Sequence, residues 1–186
     1  RCAQADLAQM VWKLHKTVVL VGMMGAGKTA VGKALAAKLD VPFLDSDFEI
    51  VTAANMSIAE IFERDGEAFF RARESEVIAR LLDGAPCVLS TGGGAFLAER
   101  NRTLISERGV SVCLNAALPL LWSRVRNKDT RPLLQTPDPY ATLSALFEAR
   151  APIYELADVS VDASHDYSIE DMAGQVVQAL ALRADV

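Results

Sequence analysis

Two hydrophobic periods take turns along this chain. Short continuous apolar runs at residues 17–21, 41–44, 87–90, 110–114 and 159–161 read as five buried strands. After the first run, Val31, Ala34, Leu35 and Leu39 recur at helical spacing, and similar patterns fill most of the other gaps. Strands separated by helices imply an α/β fold with a parallel, doubly wound sheet. No internal repeat or low-complexity segment interrupts it.

Two stretches depart from strict alternation. About forty residues separate the second and third strands, with two or three helical patterns in place of one. Ser57 and Glu60 mark the start of one of them as a capping box, each side chain satisfying a free N–H group. That insertion, at about 46–75, is long enough for a small subdomain. The second departure is NKDTRPLLQTPDP at 127–139, too rich in proline for regular helix. A plain connector and a mobile lid both fit it, and loops of this length often act as lids.

Composition narrows the class. At 186 residues, 51% hydrophobic and 23% charged, the chain is globular and reads as a single domain over 1–186. A net charge of −5 gives no general attraction for nucleic acid or anionic lipid, so any bound anion needs a local site. Cys2, Cys87 and Cys113 show no CxxC pairing, and the last two fall in apolar runs, as core thiols of a reducing compartment would. His15 and His165 have no metal-ligand neighbours, which argues against zinc. No apolar stretch is long enough to span a membrane. Residues 1–16 contain Asp6 and lack the basic start and long apolar core of a signal peptide, so they read as a short leading helix without assigned role. A cytoplasmic protein is expected.

The clearest chemistry is GMMGAGKT at 22–29, which fits G-x4-G-K-[ST] and lies between a predicted strand and a predicted helix. Such a loop lets the backbone of Gly25, Ala26, Gly27, Lys28, Thr29 and Ala30 wrap phosphate oxygens at a positive helix start. Lys28 reaches the β- and γ-phosphates, and the Thr29 hydroxyl ligates magnesium. A nucleotide site alone fits a kinase, a nucleotide-gated switch or a binding module equally. A second site facing the γ-phosphate separates them.

Ligands in open α/β sheets lie beyond the carboxyl ends of the strands, where Asp45-Ser46-Asp47 follows strand two. Its two carboxylates can divide between magnesium and an acceptor hydroxyl, or simply cap a helix. Thr91 and three consecutive glycines, Gly92, Gly93 and Gly94, end strand three, either as a turn or to let something approach the backbone closely. Arg71 shares a helical stripe with Ile78 and Leu82, and Glu74 lies on nearly the same one. Arg150 continues the stripe of Leu143, Leu146 and Phe147. Either arginine alone can snorkel at a core edge. Two on inward faces suggest a carboxylate pocket, because the guanidinium fork matches a carboxylate.

Taken in order, these motifs resemble shikimate kinase: GMMGAGKT, the Asp45–Asp47 pair, Phe70-Arg71 with Glu74, the glycine triplet, Arg131-Pro-Leu-Leu and Arg150-Ala-Pro-Ile-Tyr. The likeness covers about 17–182. It implies a P-loop fold like that of nucleoside monophosphate kinases, a three-layer sandwich with a substrate-binding subdomain at 46–75 and a lid at 127–139. It implies MgATP and shikimate as reactants of a monomeric enzyme. Asp47 would grip the shikimate hydroxyls and accept a proton. Arg71 and Arg150 would hold the carboxylate, with Gly93 and Gly94 approaching the ring through their backbone. Asp45 would support magnesium through water, Arg131 would close over the transferring group, and Arg124 would pack on adenine. A second adenine-packing residue is expected near 164–167, where the family's usual proline is missing. Two alternatives remain: a gluconate-type sugar-acid kinase, which shares the P-loop and an anionic acceptor, and a catalytically silent nucleotide-dependent interaction module.

Overall fold

The structure is a computed structural model and describes residues 13–128 and 132–186. Five parallel strands form one sheet: β1 (Thr17–Val21), β2 (Phe43–Asp45), β3 (Val88–Ser90), β4 (Gly109–Asn115) and β5 (Val159–Asp162). Their order is β2-β3-β1-β4-β5. All five residues of the central strand β1 are buried, which explains its unbroken apolar run.

Helix α1 (Lys28–Leu39) carries the chain from β1 to β2 and packs against the last helix, α8 (Ile169–Ala181). The return from β2 runs through α2 (Ser46–Ala54), α3 (Ile58–Asp65) and α4 (Glu67–Leu82). Helix α5 (Glu99–Arg108), packed on α4, then leads to β4, and α6 (Leu118–Val125) and α7 (Pro139–Tyr154) lead to β5. Because parallel crossovers are right-handed, these opposite directions of travel put the two helical groups on opposite faces of the sheet.

That topology sets the site. From β1 the chain moves over β3 toward β2, whereas from β3 it moves over β1 toward β4. The loops after these neighbouring strands therefore part in opposite directions and open a crevice at their carboxyl ends. Register brings the ends level, with Leu20 of β1 and Asp45 of β2 both paired to Ser90 of β3.

Most boundaries match the hydrophobic pattern. The second strand starts at Phe43 instead of Val41, because the Val41 N–H donates to the Ala36 carbonyl and closes α1. Helices α2 to α4 enclose a small second core of Ile50, Ile61 and Phe70, with the Phe62 and Phe70 ring centroids 4.8 Å apart. Ser57 and Glu60 form the expected capping box on α3. In the proline-rich stretch, Pro132–Leu134 forms one 3-10 turn, and the Asp138 side chain caps α7 with Pro139 in its first turn. Cys87 and Cys113 are buried, and burial pushes the Cys113 thiol up to about 11.

Residues 1–12, with Cys2, lie outside the described residues. Lys13 to Lys16 are not helical, and Leu14 is buried against the core. Among the described residues no helix is long and apolar enough to cross a membrane.

Candidate active site

A cleft of about 580 Å³ opens at the crevice, with the loop at 22–29 as its floor. Gly27 stands just before α1 with φ +94°, a conformation that lets the chain turn into the helix with its first N–H groups toward the cleft. Lys28 Nζ donates to the Gly22 carbonyl at 2.8 Å and the Met23 carbonyl at 3.0 Å, so the lysine is held across its own loop. Arg124, in the last turn of α6, donates from Nη1 to the Gly25 carbonyl at 3.0 Å. The same guanidinium lines the cleft, as do Tyr167, Ser168 and Ile169 at the start of α8. Within 164–167, Tyr167 lines this cleft.

Thr29, Asp45 and Asp47 line the same cleft. Asp45 fulfils the capping reading, since its Oδ1 accepts from the Phe48 N–H at 3.1 Å and starts α2. Asp47, two residues on, is instead turned against the glycine triplet. Burial is the main cause that raises its pKa above the ordinary 3.8, and the Asp45 charge adds to it. Lys28 and Arg71 oppose the rise.

The triplet holds three charged side chains on three successive residues. A Cβ on Gly92 would come within 2.7 Å of Asp47 Oδ1, and one on Gly94 within 2.5 Å of Arg71 Nη2. At Gly93 the nearest such atom is Arg150 Nη1, at 3.5 Å. Both arginines are half-buried, which is wetter than their apolar stripes suggest. Arg71 is fixed by Glu74, whose carboxylate is 1% exposed and accepts from Nη1 at 2.9 Å. Burial raises the Glu74 pKa, and its bond to Arg71 opposes the rise. The Tyr154 hydroxyl donates to the Gly93 carbonyl.

So the structure brings Lys28, Thr29, Asp45, Asp47, Gly93 and Arg124 into one cleft, while Arg71, Arg150 and Gly94 lie outside its lining and are tied to it through the triplet. Arg131 lies outside the described residues. Gly92 and Tyr154 were missed as site residues: the first because a glycine does not announce what it makes room for, the second because the bond that ties it to the triplet is to a backbone oxygen. Glu74 was visible as Arg71's neighbour on the helix, at the i, i+3 spacing.

A P-loop and a glycine triplet that seats two arginines and an aspartate, set around one cleft, are the arrangement of a small α/β kinase. The model of the shikimate kinase family matches residues 24–181. A shikimate kinase of Ruegeria pomeroyi is 72% identical over 173 residues, 93% of this chain and 89% of that one. The shikimate kinase of Acinetobacter baumannii, solved in complex with shikimate, superposes with a TM-score of 0.83 at 38% identity, covering 90% of this chain and 93% of that one. A gluconokinase from Sinorhizobium meliloti reaches a TM-score of only 0.57 at 20% identity over 92% and 97% of the two chains, a likeness of fold alone. The chain belongs to the shikimate kinase family.

Proposed function

We propose that this chain transfers the γ-phosphoryl group of ATP to shikimate, giving shikimate 3-phosphate and ADP, with the cleft residues dividing the work as follows. The loop N–H groups from Gly25 to Ala30 and the Lys28 ammonium hold the phosphates. Adenine lies between Arg124, already anchored on the loop, and Tyr167 across the cleft. The shikimate carboxylate is taken by the guanidinium groups of Arg71 and Arg150, and its ring lies on the backbone of Gly93 and Gly94. That pose turns a ring hydroxyl toward Asp47, which accepts its proton as the oxygen attacks the γ-phosphorus and ADP leaves. A carboxylate with a raised pKa is a better base than an ordinary one.

The donor set also suits magnesium, since a hydroxyl from Thr29 and a carboxylate from Asp45 line the cleft and hard oxygen ligands are what that ion takes. Held there by Thr29 and Asp45, it would supply charge neutralisation on the β- and γ-phosphates. The rest of catalysis is alignment, as phosphoryl transfer asks for little covalent chemistry from the protein. Residues 46–75, with their own small core, form the substrate-binding subdomain. Residues 127–139 form the lid that brings Arg131 over the transferring group. The enzyme works as a cytoplasmic monomer.

The observation that carries this reading is the seating of Asp47, Arg150 and Arg71 on three consecutive glycines beside a P-loop. ADP release, measured by a coupled assay with shikimate and with gluconate, tests it. Turnover with shikimate and none with gluconate is expected, and the reverse preference would overturn it.

A further inference from the structure

Helix α7 meets the glycine triplet twice, four residues apart. Arg150 Nη1 stands 3.5 Å from the Gly93 carbonyl oxygen, at the outer limit of a hydrogen bond. One turn later the Tyr154 hydroxyl donates to that same oxygen. The tyrosine is fixed from several sides. It is only 4% exposed, and its ring lies nearly parallel to that of Phe96, with 6.4 Å between centroids and 13° between planes. Phe96 belongs to the 3-10 turn that directly follows the triplet. Tyr154 thus grips residues 93 and 96 together, through its polar tip and its apolar face.

Two donors therefore face one acceptor, and they differ in what else they can do. The phenol is enclosed, with the Arg150 guanidinium within hydrogen-bonding reach of its oxygen. The guanidinium is half-exposed and is the group that must turn to an incoming anion. An unoccupied carbonyl next to a guanidinium is a standing competitor for it, because a charge-assisted bond is the stronger of those available to that oxygen.

We propose that Tyr154 is a positioning residue: by occupying the Gly93 carbonyl it fixes the triplet's backbone and holds Arg150 at the outer edge of that oxygen's reach, available to the substrate carboxylate. This rests on the reading of Arg150 as a carboxylate ligand. Without the phenol, the Gly93 carbonyl draws Arg150 in, and the substrate has to break that bond before it can bind. The effect falls on shikimate binding and not on phosphoryl transfer, since the phenol's polar partners are Gly93 and Arg150, on the carboxylate side of the site.

The test is Tyr154→Phe, which keeps the ring and its packing on Phe96 and removes only the donor. The shikimate KM should rise about fivefold to tenfold, the size of one lost hydrogen bond. The kcat and the ATP KM should stay within about twofold. In the Arg150→Ala background the same change should have little further effect on shikimate KM, because the group it protects is gone. An unchanged shikimate KM in Tyr154→Phe would overturn the inference. So would a full additional loss in the double variant, or a parallel decline of kcat and both KM values with a lowered Tm, which marks a merely structural role. If Arg150→Ala itself leaves the shikimate KM unaltered, the carboxylate assignment falls and the role of Tyr154 falls with it. If Arg150→Ala raises KM and Tyr154→Phe does not, only the role of Tyr154 falls.

Discussion

Two glycine-rich loops face each other across the cleft, and glycine serves a different purpose in each. In the loop at 22–29 it is there first for conformation, since Gly22, Gly25 and Gly27 all have positive φ, although a Cβ on Gly22 or Gly25 would also crowd Leu114 or Val125. Gly27 has φ +94°, and a Cβ there would meet only ordinary contacts, the nearest at 3.7 Å, so nothing but the backbone angle forbids another residue. In the triplet at 92–94 no residue has a left-handed φ. There glycine is needed for space, because Asp47 and Arg71 already occupy the volume a methyl group would take. The first loop shapes its own backbone around a ligand. The second yields room to side chains from α2 and α4 and meets one from α7 at ordinary contact, so it acts as the place where three distant parts of the chain are brought into register.

The sharpest way to break this comparison is to strike each loop at its charge. Lys28→Ala leaves the fold of the loop to its glycines and removes the cation next to the β- and γ-phosphates. Turnover should fall by roughly a thousandfold or more, the scale of losing a preorganised charge at the transferring group. Steady-state assays on protein shown to be folded by circular dichroism check it, and near-normal turnover would sink the phosphate-site assignment.

Asp47→Asn strikes the triplet side. It keeps the shape pressed against Gly92 and removes the charge and the proton acceptor, so turnover should fall by at least ~100-fold with ATP affinity little changed. The pH dependence carries a sign. The folded-state pKa of Asp47 is raised above 3.8, chiefly by burial. Its neutral form is thus favoured by folding: that contribution is whole below pH 3.8 and is lost as pH rises through the raised folded value. At neutral pH the ionised carboxylate therefore costs stability, and Asp47→Asn should raise Tm while it lowers turnover. For the same reason the acid limb of kcat/KM in the wild type should lie above the ordinary carboxylate range. A lowered Tm in Asp47→Asn, or an acid limb that survives in its residual activity, would remove Asp47 as the base.

Next in size come the arginines. Arg71→Ala and Arg150→Ala should each raise the shikimate KM by roughly ten- to a hundredfold, the range of one charged hydrogen bond, with kcat less affected. Lysine at either position should restore part of the loss, since an ammonium keeps the charge without the fork. Equal losses for shikimate and for an analogue with a neutral amide in place of the carboxylate would make the arginines structural.

How much of this was legible in the sequence follows the same division. A loop that works through its own backbone writes its whole requirement in one short stretch, so GMMGAGKT with its flanking strand and helix was readable. The five strands were readable too, because a sheet covered on both faces needs unbroken apolar runs, as in β1. The triplet was readable only as a question. What it makes room for comes from residues 47, 71 and 150, and nothing local links those positions to 92–94. The resemblance to a family supplied the roles of Arg71 and Arg150, and the structure added their seating. Tyr154 was out of reach because its polar contact is a backbone oxygen 61 residues away, for which a sequence keeps no matching side chain. Asp45 shows the opposite outcome: it caps α2, one of the alternatives its motif offered, and lines the cleft as well.

The smallest expected effect separates space needed by the protein from space needed by the substrate. Gly94→Ala would set a Cβ 2.5 Å from Arg71 Nη2. The guanidinium would have to swing away from Glu74, a 1%-exposed carboxylate that then loses its partner. A buried acceptor left unsatisfied costs about 1–3 kcal/mol, so Tm should drop by several degrees even without ligand. Gly93→Ala is different. Its nearest neighbour would be 3.5 Å away, an ordinary contact, and its φ is not left-handed. An alanine there trims the freedom of the unfolded chain, which stabilises by about 0.4–1 kcal/mol, so Tm should hold or rise slightly. If the shikimate ring lies on this backbone, the same methyl group obstructs it, and shikimate KM should rise in a protein that is no less stable. Thermal unfolding of both variants without ligand, with shikimate KM measured alongside, reads the two requirements separately. A Gly93→Ala protein with unchanged shikimate KM would move the ring off residue 93, and one with a Tm as low as that of Gly94→Ala would mean that residue 93 also makes room for the protein itself.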